Sequence, residues 1–339
     1  MNPLDRSESR DNARPGDNTR NPEQDALQNA ELTDATEQID QALMGTATTA
    51  GRRLSRRQLI ARRFIRNKTA LVGAAGFFLI VLFAIFGDLF THWTITDVDV
   101  TSFLTPPGGE HWWGTTQDGR DVYILTVTGL RKSLIIGLCV AAIQTVAAAL
   151  IGSAAAYFGK AVDKVLLWCI DLLLVIPSFL LIAIITQKMG AQKGSTVTLV
   201  FLLAAFGWML TARVIRAMTL SVISLDYVRA AKYMSVPAWT IIIRHIIPNV
   251  SSYLIIDASL GVVSAVMSET VLSYFGFGVQ PPDTSLGTLL AAGQNSATTF
   301  PWIFLAPAAV LTLMLICINF MGDGLRDALD PSSKSGGQA

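Results

Sequence analysis

Residues 226–249 read DYVRAAKYMSVPAWTIIIRHIIPN, a polar and basic stretch between two strongly apolar segments of the 339-residue chain. Its composition and its two prolines predict two short helices joined by a turn rather than an irregular loop. The adjacent Ala230 and Ala231 are small enough to let another surface approach the first helix closely. A bent, basic helix pair of this kind is suited to a groove, and nothing else in the sequence supplies one.

The second of these helices has predicted boundaries of its own. Ser235 is expected to cap its start, because a serine oxygen can accept a hydrogen bond from a free backbone N–H. Pro237 is expected in the first turn, where its missing N–H costs nothing, and Pro248 at the end. A second interpretation stays open, in which the stretch is an amphipathic surface loop that lies against a partner or lipid.

Composition places the chain in a membrane, since 51% of its residues are hydrophobic, 15% are charged and the mean hydropathy is +0.47. The net charge of +1 conceals a strong segregation. Residues 1–50 contain ten acidic residues and four arginines, whereas residues 51–68 contain eight basic residues and no acidic one. We expect residues 1–50 to be a disordered acidic cytoplasmic tail. Residues 51–68 are expected to form a basic helix at the membrane interface.

The cysteines do not indicate a disulfide or a metal site. Cys139, Cys169 and Cys317 each lie in a separate apolar run and are expected to be small buried side chains. The first apolar run begins near Thr69, which is too late for a cleavable signal peptide. This run is therefore expected to remain in the mature chain as an anchor.

Apolar segments long enough to cross a bilayer recur along the rest of the sequence. They predict an all-α membrane protein with six transmembrane helices and both termini in the cytoplasm, because every strong basic cluster then lies inside. In this division residues 69–330 form the transmembrane domain, residues 88–132 an extracytoplasmic loop, residues 212–249 a cytoplasmic loop and residues 331–339 a C-terminal tail. The predicted spans are Thr69–Gly87, Ser133–Phe158, Val165–Gln187, a segment from Thr196 to Leu210, Val250–Tyr274 and Pro301–Met321.

Two carboxylates are noted within these spans. Asp171 is taken as the one carboxylate near mid-depth, and Glu269 lies near the outer end of the fifth span. Because a carboxylate in lipid is costly, each is expected to face protein or water. Either could line a translocation path or serve a structural role. For Asp171 we favour a structural pairing with an arginine of this chain or of a partner subunit.

The opening stretch resembles the "EAA" loop of bacterial ABC-importer permeases, where it forms the coupling helix seated in a cleft of the ATPase. The form YVxAA at 227–231, followed by RHIIPN at 244–249, is similar to the dipeptide, oligopeptide and nickel branch of that family. Two positions depart from the pattern. Arg229 stands where Glu is usual, so no argument here can depend on a salt bridge from a Glu to the ATPase. Ser235 stands where Gly is usual, and it is expected to keep the turn with its backbone at negative φ.

Four further segments resemble the same family in the same order. Residues 111–122 resemble H-x-x-G-T-D-x-x-G-R-D-V, with Thr116 in place of the first Asp of the pattern. Residues 269–282 resemble E-A-x-L-S-F-L-G-L-G-V-x-P-P. Residues 163–177 match a motif whose arginine is Trp168 here, which removes the nearest candidate partner of Asp171. Residues 319–331 are similar to the terminal N-x-x-G-D-x-L-R-D-x-L-D-P. The resemblance covers roughly residues 55–331.

The resemblance implies a type I ABC-importer permease of a prokaryotic inner membrane that moves di- or oligopeptides from an extracytoplasmic binding protein into the cytoplasm. The implied partners are a homologous second permease, two ATP-binding subunits or domains, the binding protein and membrane lipid, with no nucleic acid. The residues that it assigns to ATPase coupling are Tyr227, Val228, Arg229, Ala230, Ala231, Ser235, Val236, Pro237, Arg244, His245 and Pro248.

The sequence provides no energy source for transport. It contains no G-x-x-x-x-G-K-[ST] phosphate loop, so we expect a non-catalytic subunit without a cofactor or metal, with ATP and Mg²⁺ bound by partner ATPases. Nickel chelates or other small solutes remain alternative cargoes, since the family motifs are shared. A stand-alone secondary transporter remains a more remote alternative, because no internal repeat with ionisable sites at the midplane is evident.

Overall fold

The computed structural model describes residues 56–189 and 196–329, and within these ranges the chain is helical with no β-strand. The predicted tails at 1–50 and 331–339 lie outside the described residues. Residues from Gln58 onward belong to one compact unit. The helices are α1 (Arg56–Arg66), α2 (Lys68–Phe86), α3 (Val122–Phe158), α4 (Lys160–Val175), α5 (Ser178–Met189), α6 (Thr196–Gly207), α7 (Met209–Ile223), α8 (Asp226–Tyr233), α9 (Ala238–Ile241), α10 (Ile247–Tyr274), α11 (Leu286–Gly293) and α12 (Pro301–Leu329).

Four helical segments are individually long and apolar enough to cross a membrane, and two bent helix pairs raise the number to six if each pair is one span. The pair α4 and α5 is bent by 77°, and the pair α6 and α7 by 44°. The four continuous segments are Lys68–Phe90, Val122–Phe158, Ala238–Tyr274 and Pro301–Leu329.

Each bend has a local cause. Ile176 precedes Pro177 and adopts φ −85° and ψ 125°, because the proline ring disfavours helical backbone at the preceding residue. At the second bend the Gln144 amide lies against Gly207, where a Cβ would come within 1.7 Å of its nitrogen. The same amide donates a long hydrogen bond of 3.4 Å to the Leu203 carbonyl. A side chain inserted beside the helical ladder in this way bends a helix.

The second span begins at Val122 rather than at Ser133. The Asp121 side chain caps it by accepting a hydrogen bond of 2.9 Å from the Ile124 N–H. The charges that suggested a loop are paired instead, with Arg131 Nη2 2.6 Å from Asp88 and Lys132 Nζ 3.0 Å from Asp283. The end of the predicted 88–132 loop is therefore helical.

The last helix also extends beyond its predicted end at Met321 and reaches Leu329. Gly324 lets this extension pack closely against α2, since a Cβ at this position would lie 2.0 Å from the Ala70 Cβ of that helix. Both helices contribute to a buried cluster together with α3, α10 and α11. Its fully or almost fully buried members include Leu130, Val266, Leu286, Met314 and Ile318.

We predict that Gly324→Val destabilises the packing of α12 on α2 by about 1–3 kcal/mol, because overpacking forces side chains or backbone to shift. Thermal denaturation of the purified protein in detergent measures the effect. Gly109→Val is the matched control, since no atom lies within 4 Å of a Cβ at that glycine. Equal melting temperatures for the two variants would contradict the close approach of the helices.

Candidate coupling and transport site

The first helix of the 226–249 stretch, α8, buries one of its two central alanines and exposes the other. Val228 and Ala231 are buried, with 1% and 8% exposure, and pack with Ile241, Ile242 and other residues of the same chain. Ala230 instead lies on the exposed face of α8. Only one alanine of the pair is therefore open to a second protein. Other exposed residues on or next to this helix are Tyr227, Arg229, Lys232, Tyr233 and Met234.

The turn after α8 contradicts the expectation for Ser235. Its φ is +58°, so it neither keeps a negative φ nor caps the next helix. The Ser235 N–H donates to the Lys232 carbonyl and the Val236 N–H to the Ala231 carbonyl, both at 3.1 Å. This is the Schellman arrangement, in which the left-handed residue closes the C-terminus of a helix. Glycine suits that conformation best, so serine holds it at a cost in strain.

The predicted ends of the second helix are also wrong. Pro237 is the N-cap of α9 rather than a residue of its first turn, and the N–H that proline lacks is not required at that position. After α9 the backbone widens into a π-turn at Ile242–Ile246 and continues directly into α10, with Pro248 in the first turn of that helix. A proline cannot donate to residue 244 and would crowd that carbonyl, so the wider turn accommodates it. Pro248 therefore does not end the helix.

The two arms of the stretch are tied together near their far ends. The Asn249 side-chain amide donates to the Tyr227 hydroxyl. The Tyr227 and His245 rings also lie beside each other, with centroids 6.2 Å apart. Together with the Schellman turn, these contacts hold α8 and the start of α10 as one unit.

The outer surface of this unit is basic. Arg229 and Lys232 are exposed, and Lys232 Nζ lies 5.7 Å above the Tyr157 ring. A cavity of about 560 Å³ opens between α8 and the end of α7, and Arg229, Lys232 and Tyr233 contribute to its lining. Arg244, in the π-turn, is exposed as well. The charge of this surface is suited to an acidic partner.

Two carboxylates of α4 pair with arginines of α7. Asp171 pairs with Arg213. Asp163 receives two hydrogen bonds from the Arg216 guanidinium. Asp171 thus has the arginine partner that its structural role requires. The partner is Arg213 of the same chain, whereas position 168, the nearest candidate in the family motif, is a tryptophan here.

Glu269 is completely buried and belongs to a closed hydrogen-bond network. It accepts hydrogen bonds from the hydroxyls of Ser273, at 2.6 Å, and Ser133, at 3.3 Å. These hydroxyls in turn accept from the N–H groups of Val279 and Leu286, each at 3.1 Å. Glu269 therefore joins α3, α10 and the start of α11.

The sequence analysis overlooked Asp257, which lies in the fifth span and is a third carboxylate within the predicted spans, after Asp171 and Glu269. Asp257 is partly exposed on α10 and accepts a hydrogen bond of 3.0 Å from the Thr211 hydroxyl of α7. The signal was present, since an aspartate stands alone in the apolar run 250–267.

The cysteines were also only partly as expected, because Cys317 is buried but Cys139 is exposed.

The segment between α2 and α3 is organised around His111. This side chain is 3% exposed, with its Nδ1 2.8 Å from Asp121 and its Nε2 3.3 Å from Asp99. The Thr101 hydroxyl and N–H donate to Asp99 and hold the pKa of that carboxyl well below its usual range. A cavity of about 750 Å³ lies between this segment and residues 273–296.

Comparison with known proteins identifies the class. Residues 148–335 match the model of the binding-protein-dependent transport system inner membrane component family, and residues 55–107 match that of the N-terminal transmembrane domain of oligopeptide transport permease C. With several helices that are apolar and long enough to span a membrane, the chain is a multi-pass permease component of a bacterial inner membrane.

Individual relatives agree with the family models. The oligopeptide transport system permease protein OppC of Mycobacterium tuberculosis is 49% identical over 281 residues, which cover 83% of this chain and 96% of the relative. Proteins of the same name are 35% identical in Escherichia coli, over 80% of this chain and 90% of the relative, and 32% in Bacillus subtilis, over 79% and 87%. The chain belongs to the family of binding-protein-dependent transport system inner membrane components.

We predict that Ser235→Gly stabilises the closed turn by about 1 kcal/mol, because glycine adopts positive φ without the Cβ strain. Hydrogen exchange of the peptide that contains Val236 should slow by about fivefold, the factor that corresponds to this energy. Ser235→Val is the opposing variant and should speed exchange. Faster exchange in the glycine variant would contradict the assignment.

We predict that Glu269→Ala lowers the free energy of unfolding by about 3 kcal/mol, because two buried hydroxyls lose their acceptor and a cavity forms. Thermal denaturation of the purified protein measures the loss. Glu269→Gln keeps an acceptor oxygen at nearly the same volume and should lose much less. If the two variants melted together, the network would not depend on that acceptor.

Proposed function

We propose that this chain is the transmembrane permease subunit of an ATP-driven importer that moves di- or oligopeptides from an extracytoplasmic binding protein into the cytoplasm. The observation that carries the proposal is the 226–249 unit, which presents an exposed alanine and a basic surface on a fold that belongs to a transport family. The three relatives described above are each named as an oligopeptide transport system permease protein, which favours peptides over nickel chelates or other small solutes.

The proposed topology has six spans, with each bent helix pair counted as one. Both termini then lie in the cytoplasm together with α1, α8 and the arginines of α7, as the positive-inside rule favours. The segment around His111 and the 750 Å³ cavity lie outside, where the binding protein would dock. In this arrangement the coupling unit faces two ATP-binding subunits or domains, and a homologous second permease completes the pathway.

The proposed mechanism is mechanical, and the chain itself performs no catalysis. ATP and Mg²⁺ bind to the partner ATPases, whose closure moves the 226–249 unit and opens the spans toward the binding protein. Shifting a two-state equilibrium from 1:99 to 99:1 requires about 5.5 kcal/mol of differential interaction. A unit that is closed by the Schellman turn and tied by Asn249 and Tyr227 is stiff enough to transmit that difference.

The residues of the site have separate roles in this mechanism. Ala230, Arg229 and Tyr227 contact the ATPase, whereas Val228, Ala231 and Val236 hold the unit against its own core. Asp171 and Glu269 act within the chain, as partners of Arg213 and of the serines at 133 and 273. The basic surface of α8 implies carboxylates in the ATPase groove, the reverse of the charge that a Glu at position 229 would require.

We predict that Ala230→Trp reduces ATP-dependent uptake of a labelled peptide by at least about tenfold, because the indole blocks the close approach of the ATPase to the exposed face of α8. Uptake is measured in proteoliposomes that contain the complete transporter, and recovery of the ATPase subunits with this chain is measured in parallel. Ala61→Trp on α1 is the matched control, since Ala61 is also exposed and small.

The two measurements separate the outcomes. Membrane insertion should be unchanged in Ala230→Trp, with loss of uptake or of ATPase recovery. Normal uptake and normal ATPase recovery in this variant would refute the coupling assignment. Uptake of peptide by the wild-type chain alone, without ATP, would refute the importer and support a secondary transporter.

A further inference from the structure

We propose that one face of α10 lines the cargo path, and that Asp257 on this face receives the protonated amino terminus of the peptide. The inference rests on the proposed function and names a binding group for its cargo. It depends on three observations about α10, namely a polar stripe, a cavity beside it and a carboxylate without a cationic partner.

The stripe consists of Asp257, Gly261, Ser264 and Ser268. Positions i, i+4, i+7 and i+11 lie on one face of a helix, so these residues follow one another along the axis of α10. Ser264 and Ser268 are exposed, and Asp257 and Gly261 are partly exposed. The face is thus polar or small over three turns of an otherwise apolar span. The helix α3 approaches it at Gly261, where a Cβ would lie 3.5 Å from the Ala141 Cβ, whereas Ser264 and Ser268 remain exposed.

A cavity of about 470 Å³ lies next to Ser264 and Ser268, which form the C-terminal part of the stripe. Its polar lining comes from Ser264, Ser268, Ser178 and Gln144, which project from three different spans. Hydroxyl and amide groups that face hydrocarbon lose their hydrogen bonds to water, so a groove with this lining is suited to water or to a polar solute. The same groups can bond to peptide N–H and C=O groups, whereas its apolar members Leu203, Phe206 and Leu272 accommodate varied side chains.

Asp257 lies near the middle of the Ala238–Tyr274 span, about 10 Å along the helix from Ser264. Its hydrogen-bond donors are neutral hydroxyls, from Thr211 at 3.0 Å and from Tyr253. Unlike Asp163 and Asp171, it has no ion pair with any cation among residues 58–188 and 196–329. A carboxylate has room for about four hydrogen bonds, so acceptor sites remain free.

A partly exposed carboxylate at this depth is best compensated by a cation that arrives with the cargo. A peptide supplies one at its amino terminus. A metal ion fits less well, because the described residues contain no group of three or more His, Cys, Asp or Glu side chains that could hold one. The serines above Asp257 are neutral, so they would hold the peptide backbone without competing for its amine.

The first test measures the charge of the groove with thiol reagents. Ser264→Cys is introduced into the complete transporter, in a background with Cys139→Ser, Cys169→Ser and Cys317→Ala. After correction for the rates with a free thiol, a cationic methanethiosulfonate should react about tenfold faster than an anionic one, as expected for a unit charge about 10 Å away. Asp257→Asn should remove most of this preference, and Asp257→Glu should retain it.

Ile255→Cys is the matched control, because Ile255 is 48% exposed but lies on the opposite face of α10. It should react with neither charged reagent. If Ser264→Cys were also unreactive in the presence and absence of ATP, the stripe would be covered by the second permease and the inference would be wrong. A reagent preference that Asp257→Asn leaves unchanged would likewise overturn the role of the carboxylate.

The second test measures transport with saturating binding protein. Asp257→Asn should lower the maximal rate of peptide uptake by at least about fivefold, the factor for one lost charged hydrogen bond of modest strength, and Asp257→Glu should restore much of it. Full activity of Asp257→Asn would refute the inference and leave the importer intact. Absence of ATP-driven peptide uptake by the wild-type transporter would instead refute the proposed function.

Discussion

The constraint on which this structure depends is that a bilayer solvates neither a charge nor a free backbone group. The chain satisfies it by placing partners on different spans. Asp163 and Asp171 on α4 meet Arg216 and Arg213 on α7, so the bent pairs are joined to each other by ionic contacts. Near the C-terminal end of α10, Glu269 accepts hydrogen bonds from two serines, and each serine hydroxyl in turn accepts from a backbone N–H in a loop or at the start of a helix.

The 226–249 unit also divides its residues between two environments. Its buried face, built on Val228, Ala231 and Ile241, belongs to the core of this chain. Its exposed face carries the groups that a partner can contact. A short helix can therefore pack firmly on its own chain and still be accessible to a partner protein. The buried alanine and the exposed alanine are consecutive residues of this helix.

Much of this organisation could be predicted from the sequence, because long apolar runs, basic clusters and ordered motifs each report a local property. The all-helical membrane fold and the family followed from them. The ends of the helices did not, since Arg131 and Lys132 look like loop residues until Asp88 and Asp283 are brought to them by tertiary packing. The conformation of Ser235 was missed because hydroxyl capping and the Schellman turn compete for the same residue, and the backbone that precedes it decided the outcome.

The continuous backbone from Ala238 to Tyr274 has a mechanical consequence. Its 37 residues form a rod of about 55 Å with no break between the turn after α8 and the C-terminal end of α10. A tilt of about 10° around the centre of such a rod displaces its ends by about 5 Å in opposite directions, as follows from that length. Asp257 lies close to the pivot, where displacement is smallest. A peptide bound there would move little while the path opens alternately toward the two sides of the membrane. Tilting of this one helix could therefore change which end of the path is open without displacing the peptide.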